Sequence, residues 1–163
     1  MNNLSWLKVF ILFVIVYALQ LTVADWLSFF DVAPDFVMIF IVAVAIRRGP
    51  AAGCLWGFVA GFTQDVYAPL EWFGANAISM TVVGYAVGQL EERFLSLNLP
   101  AKVGVLGLGF FVCDMIYFAV TGLSKDVVTN LFLTKSLPEC IYTMLIGGIF
   151  FYLDLGSKKK KHA

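Results

Sequence analysis

Six apolar stretches, divided by short polar breaks, constrain this chain more than any motif does. They run over about residues 5–24, 34–46, 50–66, 73–90, 101–122 and 137–155. A helix needs about 20 residues to cross the hydrocarbon of a bilayer, and a water-soluble domain of this size could not hide six such stretches in one core. Composition agrees: 61% of the 163 residues are hydrophobic and 13% are charged, whereas soluble domains carry roughly a quarter charged residues. Mean hydropathy is +0.88. The sequence therefore predicts an all-α integral membrane protein, with one six-helix transmembrane domain over 1–156 and a basic tail over 157–163.

The second stretch is short, since Phe36 to Ile46 covers only about 16 Å at 1.5 Å per residue. It reads as a half-depth helix or as one that recruits Trp26 to Ala33 as a bent lead-in. Basic residues concentrate on the cytoplasmic side of membrane proteins. Six crossings with both termini cytoplasmic put Lys8, Arg47, Arg48, Arg93, Lys102 and Lys158 to Lys161 inside, nine of the eleven Lys/Arg. Removing the second crossing would send Arg47, Arg48 and the lysine tail outside, so it is kept. The first stretch ends in Thr22-Val23-Ala24, which resembles a cleavage site, but the spans that follow favour an uncleaved first helix. The expected location is the bacterial cytoplasmic (inner) membrane, multi-pass.

Outer loops collect Asp25, Asp31, Asp35 and Glu71 and are too short for an outer domain. In the longest, Leu123 to Leu137, the residues Val127, Val128, Leu131 and Phe132 fall at helical spacing. A short amphipathic helix on the outer interface, capped by Ser124, is expected there. The lysine tail is expected to contact anionic membrane lipid.

Within the bilayer, helices associate through small residues and hydrogen bonds. Gly53, Gly57 and Gly61 line one face of the third helix. Ala77, Thr81, Gly84 and Gly88 line one face of the fourth. A short outer loop joins the two, so they are expected to be antiparallel neighbours along a close seam. Polar residues at depth mark sites. Asp114 lies near mid-membrane, Gln64 and Asp65 near the outer end of the third helix, Asn76 at the start of the fourth and Glu139 at the start of the sixth. These five are the expected lining of an outward-opening pocket. Gly61-Phe62-Thr63-Gln64-Asp65 has a loose echo in Gly109 to Asp114, too short to mark a duplication.

Catalysis is not expected. The one histidine, His162, lies in the tail, so no Ser-His-Asp or Cys-His arrangement can form within the spans. No phosphate-binding loop or metal motif occurs, and no cofactor is expected. Cys54, Cys113 and Cys140 are scattered in apolar segments and read as small buried residues. Zero formal net charge argues against nucleic acid as a partner.

Between residues 34 and 90 the sequence resembles the rod shape-determining protein MreD family. The resemblance rests on Pro34-Asp35-Phe36, on Gly61 to Asp65, on Phe73-Gly74-Ala75-Asn76-Ala77, and on Gly84-Tyr85 with Gly88, in that order. The link Val66 to Trp72 departs from the shorter, more aliphatic link of the family. The resemblance implies a non-enzymatic membrane subunit of the bacterial elongation machinery. It would bind MreC, act indirectly with MreB, RodZ and the RodA–transpeptidase synthase, and position lateral peptidoglycan synthesis. It also implies a fold similar to the substrate-binding subunits of energy-coupling-factor transporters. On this reading the pocket around Asp65, Asn76 and Asp114 seats the transmembrane or juxtamembrane helix of MreC. Two rivals stand beside it. One is a vitamin-binding transporter subunit, which would dock a coupling subunit near Gly49-Pro50-Ala51-Ala52; the other is a lipid-handling protein.

Overall fold

The short second stretch sits at the centre of the molecule. In the computed structural model it forms α2 (Phe36–Arg48), and every residue from Val37 to Ile46 is buried. Its length is about 20 Å at 1.5 Å per residue. Around it pack α1 (Asn3–Trp26), α3 (Pro50–Asp65), α4 (Ala75–Phe94), α5 (Leu99–Thr121) and α7 (Leu137–Lys159). A helix that is apolar all round is an interior helix, which is why this one carries no polar face. The structure describes residues 3–26, 32–94 and 98–159, and among them the side chains of 6–22, 32–91 and 98–153. The expected lead-in from Trp26 to Ala33 falls largely outside them, as do Asp31 and residues 160–163 of the tail. α7 continues to Lys159, past the expected start of that tail. Every regular element among the described residues is helical.

Local chemistry sets the ends of α2. Asp35 caps its start, with Oδ1 accepting from the Met38 N–H at 2.8 Å. At the other end Gly49 adopts φ 84°, and its N–H donates to the Ala45 carbonyl. A side chain strains that conformation and glycine does not. Pro50 then opens α3 at a position where its missing N–H costs nothing. The chain thus turns between two helices in a single residue.

The α3–α4 pair is the most extensively packed in the described residues. Its glycines meet backbone. A Cβ on Gly53 would strike the carbonyl of Gly84, and one on Gly84 would strike the backbone of Gly53. A Cβ on Gly57 would strike the Met80 carbonyl, and one on Gly61 would lie 2.6 Å from Ala77 Cα. Thr81 turns its hydroxyl back to the Ala77 carbonyl of its own helix, leaving its Cα against Gly57. Gly88 meets Pro50 at the other end of the seam, where α3 begins.

The stretch expected as a short amphipathic helix on the outer interface is helical and continuous with α7. α6 (Lys125–Leu131) passes through one π-helical turn, Phe132–Ser136, into α7. Ser124 occupies the N-cap position without a side-chain hydrogen bond to the helix. The Phe132 ring meets Phe111 of α5 edge-on at 4.7 Å, which holds the π turn against the bundle.

Two helical runs among the described residues, Leu99–Thr121 and Lys125–Leu153, are long and apolar enough to cross a membrane; Trp6–Thr22 is a shorter apolar helix. On α7 Ile141, Leu145, Ile149 and Tyr152 form an outward stripe, each 60–67% exposed. An apolar face this regular has no stable place in water.

Candidate functional site

At the end of the bundle where α2 and α4 begin, a cavity of about 230 Å³ opens between α2, α3, α4, α5 and the π turn. Four of the five side chains expected in a pocket line it: Gln64, Asn76, Asp114 and Glu139. They come from four separate helices, so the bundle, rather than local sequence, brings them together. Asp35, Lys135 and Tyr117 join them.

Asp65 is the correction. It is completely buried, and its carboxylate is engaged by α4 rather than by the cavity. Oδ1 accepts from the Asn76 N–H at 3.1 Å and Oδ2 from the Ala77 N–H at 2.9 Å. The first N–H groups of a helix have no partner within it, and a carboxylate at that end also meets the positive end of the helix dipole. Gly61 lets α3 approach closely enough for Asp65 to reach across. Asp65 therefore fixes the backbone that carries Asn76 into the cavity, and it does not itself line the cavity.

Asp114, its counterpart in the sequence echo, behaves differently. It is half-buried on α5 and faces the cavity, with the Ser136 side chain within hydrogen-bonding reach. The two aspartates share a local pattern and not a role.

Three lining residues, Asp35, Lys135 and Ser136, were not expected in a pocket, for two different reasons. Asp35 reads as an outer-loop acid in the sequence, yet it reaches the cavity because the turn that holds it is pinned from both sides. Its N–H donates to Thr143 Oγ1 of α7 at 3.0 Å. On the other side Gln20 of α1 donates to the Pro34 carbonyl at 3.3 Å and accepts from the Phe36 N–H at 2.8 Å. Buried non-helical backbone survives only where protein or water satisfies it, and these bonds supply that. The Asp35–Met38 capping interval was the available signal. Lys135 and Ser136 are the second case. A π turn inserts an extra residue and redirects side chains, often at functional sites. Here it aligns Leu131, Lys135, Ser136 and Glu139 toward the cavity, and no periodicity in the sequence marks it.

The cavity thus sets three carboxyl groups (Asp35, Asp114, Glu139) and one ammonium (Lys135) among amide and phenol groups. Among the described residues no group of three His, Cys, Asp or Glu side chains is placed to hold a metal ion. A volume of about 230 Å³ has room for a side chain or a short turn.

Residues 1–154 match the family model described as rod shape-determining protein MreD. No curated protein and no solved structure matches the chain.

Proposed function

The chain belongs to the rod shape-determining protein MreD family, and on that premise we propose that it is a non-enzymatic scaffold subunit of the bacterial cell-elongation machinery. It sits in the cytoplasmic membrane as one six-helix unit over residues 1–156 with both termini inside. It binds MreC and through it supports the MreB filament, RodZ and the RodA–transpeptidase synthase in placing lateral peptidoglycan. The match over essentially the whole chain carries this reading.

The outer cavity supplies a contact of fitting size. In this reading a side chain from the juxtamembrane segment of MreC enters between Asn76, Asp114, Lys135 and Glu139. Mixed charge and amide groups favour a polar or cationic side chain, since a buried polar group must find partners there. For the rival reading, a vitamin-binding transporter subunit, the outer cavity is small. The cavity volume lies below the 300–1,000 Å³ usual for small-molecule sites.

Depletion of the protein in its rod-shaped host, followed by cell-width imaging, tests the role. Rounding before growth arrest is expected; normal width with a nutrient-rescuable growth defect would reject it. Glu139→Gln combined with Asn76→Ala tests the cavity. Co-purified MreC should fall while the thermal midpoint holds, and undiminished MreC would remove the cavity from the contact.

A further inference from the structure

Along the face of α2 toward α1 and α7, from Phe36 to Arg48, the surface changes character. α1 and α7 both rest on α2 but leave an elongated cleft between them, with a volume of about 660 Å³. Its walls are aliphatic and aromatic: Leu12, Ile15 and Leu19 from α1, Ile39 and Ala43 from α2, and Phe150 from α7. Leu12, Ile15 and Leu19 remain 39–50% exposed, so the cleft is open sideways along its length. Lys8, Arg47 and Arg48 also line the cleft, and Arg48 is steadied with its guanidinium 4.8 Å over the Trp6 ring.

The dimensions select an occupant. From Lys8 to Leu19 is 11 residues, about 16 Å along a helix. That is about half of the ~30 Å hydrocarbon core, the depth of one leaflet. A transmembrane helix would need the full thickness. An acyl chain under an anionic headgroup matches depth, apolarity and charge together. Basic pockets between helices on the cytoplasmic side are suited to such headgroups, and the distribution of Lys and Arg assigns this end to the cytoplasm.

We propose that the α1–α2–α7 cleft binds one anionic phospholipid of the inner leaflet. Its phosphate lies among Lys8, Arg47 and Arg48, and an acyl chain lies along Leu12, Ala43 and Phe150. The lipid would seal α1 to the rest of the bundle where protein packing leaves a gap.

Native mass spectrometry of the purified full chain with added phosphatidylglycerol or phosphatidylcholine tests this. Phosphatidylglycerol should remain bound under activation that strips phosphatidylcholine. K8Q and R47Q should each weaken retention roughly fivefold, the fold-change of about 1 kcal/mol per basic side chain near an anionic surface. Ala43→Phe, which fills the cleft without touching a charge, should also abolish retention. Should Ala43→Phe fail to fold, Leu12→Phe on the exposed rim serves in its place. Equal retention of the two lipids would overturn the proposal. So would retention unaffected by the cleft-filling variant, which would indicate diffuse surface charge. A second copy of the chain or a partner helix held in the cleft would overturn it as well.

Discussion

Between α3 and α4 the backbones touch; between α1 and α7 they stand apart over a cleft of about 660 Å³. Both regions are apolar and both are read as lying in lipid. The difference lies in side-chain size. α3 places Gly53, Gly57 and Gly61 where α4 approaches, and no side chain holds the helices off. α1 faces α2 with Val9, Phe13 and its neighbours, and the Phe13 ring packs on Phe40 and Trp56 at 5.7 and 5.3 Å. Lipid is as apolar as leucine, so bulky apolar contacts gain little over contact with lipid, while small residues gain close packing. A seam of glycines is consequently specific, and a flank of leucines and isoleucines can be left to lipid.

That contrast can be broken most severely at the seam. Gly57→Leu puts a branched side chain into the Met80 carbonyl. Overpacking costs typically about 1–3 kcal/mol and more where backbone must move, so loss of folded protein on size exclusion is expected. An unchanged thermal midpoint would show that the seam can open. Asp65→Ala is next. It strands the N–H groups of Asn76 and Ala77, at about 1–3 kcal/mol for each buried group left unpaired. Asp65→Asn, which keeps one acceptor, should recover part of the loss. Asp114→Asn should leave thermal stability nearly unchanged, because Asp114 faces a cavity; equal losses at the two positions would erase the distinction drawn between them.

On the α1 flank the effects should be smaller. Gln20→Leu removes both hydrogen bonds to the Pro34–Phe36 turn, at about 1 kcal/mol net for each. Combined with Thr143→Val it should show coupling in a double-mutant cycle, since both act on one short segment. Strict additivity would mean the two clamps work independently. Leu12→Ala should cost under about 1 kcal/mol, well below the 2–5 kcal/mol of a fully buried leucine, because the side chain already faces an open cleft. A core-sized loss there would mean that the cleft closes around it.

Much of this was legible from the chain alone. The six apolar stretches correspond to α1–α5 and α7, because apolar length is written residue by residue. The seam was readable because Gly53, Gly57 and Gly61 repeat at the interval that puts them on one helical face, and Ala77, Thr81, Gly84 and Gly88 answer them. The polar residues Gln64, Asn76, Asp114 and Glu139 stood out because a bilayer makes each one expensive.

What the sequence could not decide was which neighbour each polar group would meet. Gly-Phe-Thr-Gln-Asp and its echo at Gly109 to Asp114 look alike along the chain. Asp65 nevertheless caps α4, because Gly61 brings that helix within reach, while Asp114 is left beside the cavity. Asp35 reads as a loop acid until Gln20 and Thr143, 108 residues from Asp35 in the chain, pin its turn into the bundle. Lys135 and Ser136 enter the cavity through a π turn that no periodicity announces. Composition and spacing determined a helical membrane protein with a tight seam and polar residues set into its apolar helices. The tertiary structure decided which of those residues are scaffold and which line the site, because hydrogen bonds and cavities are made between helices.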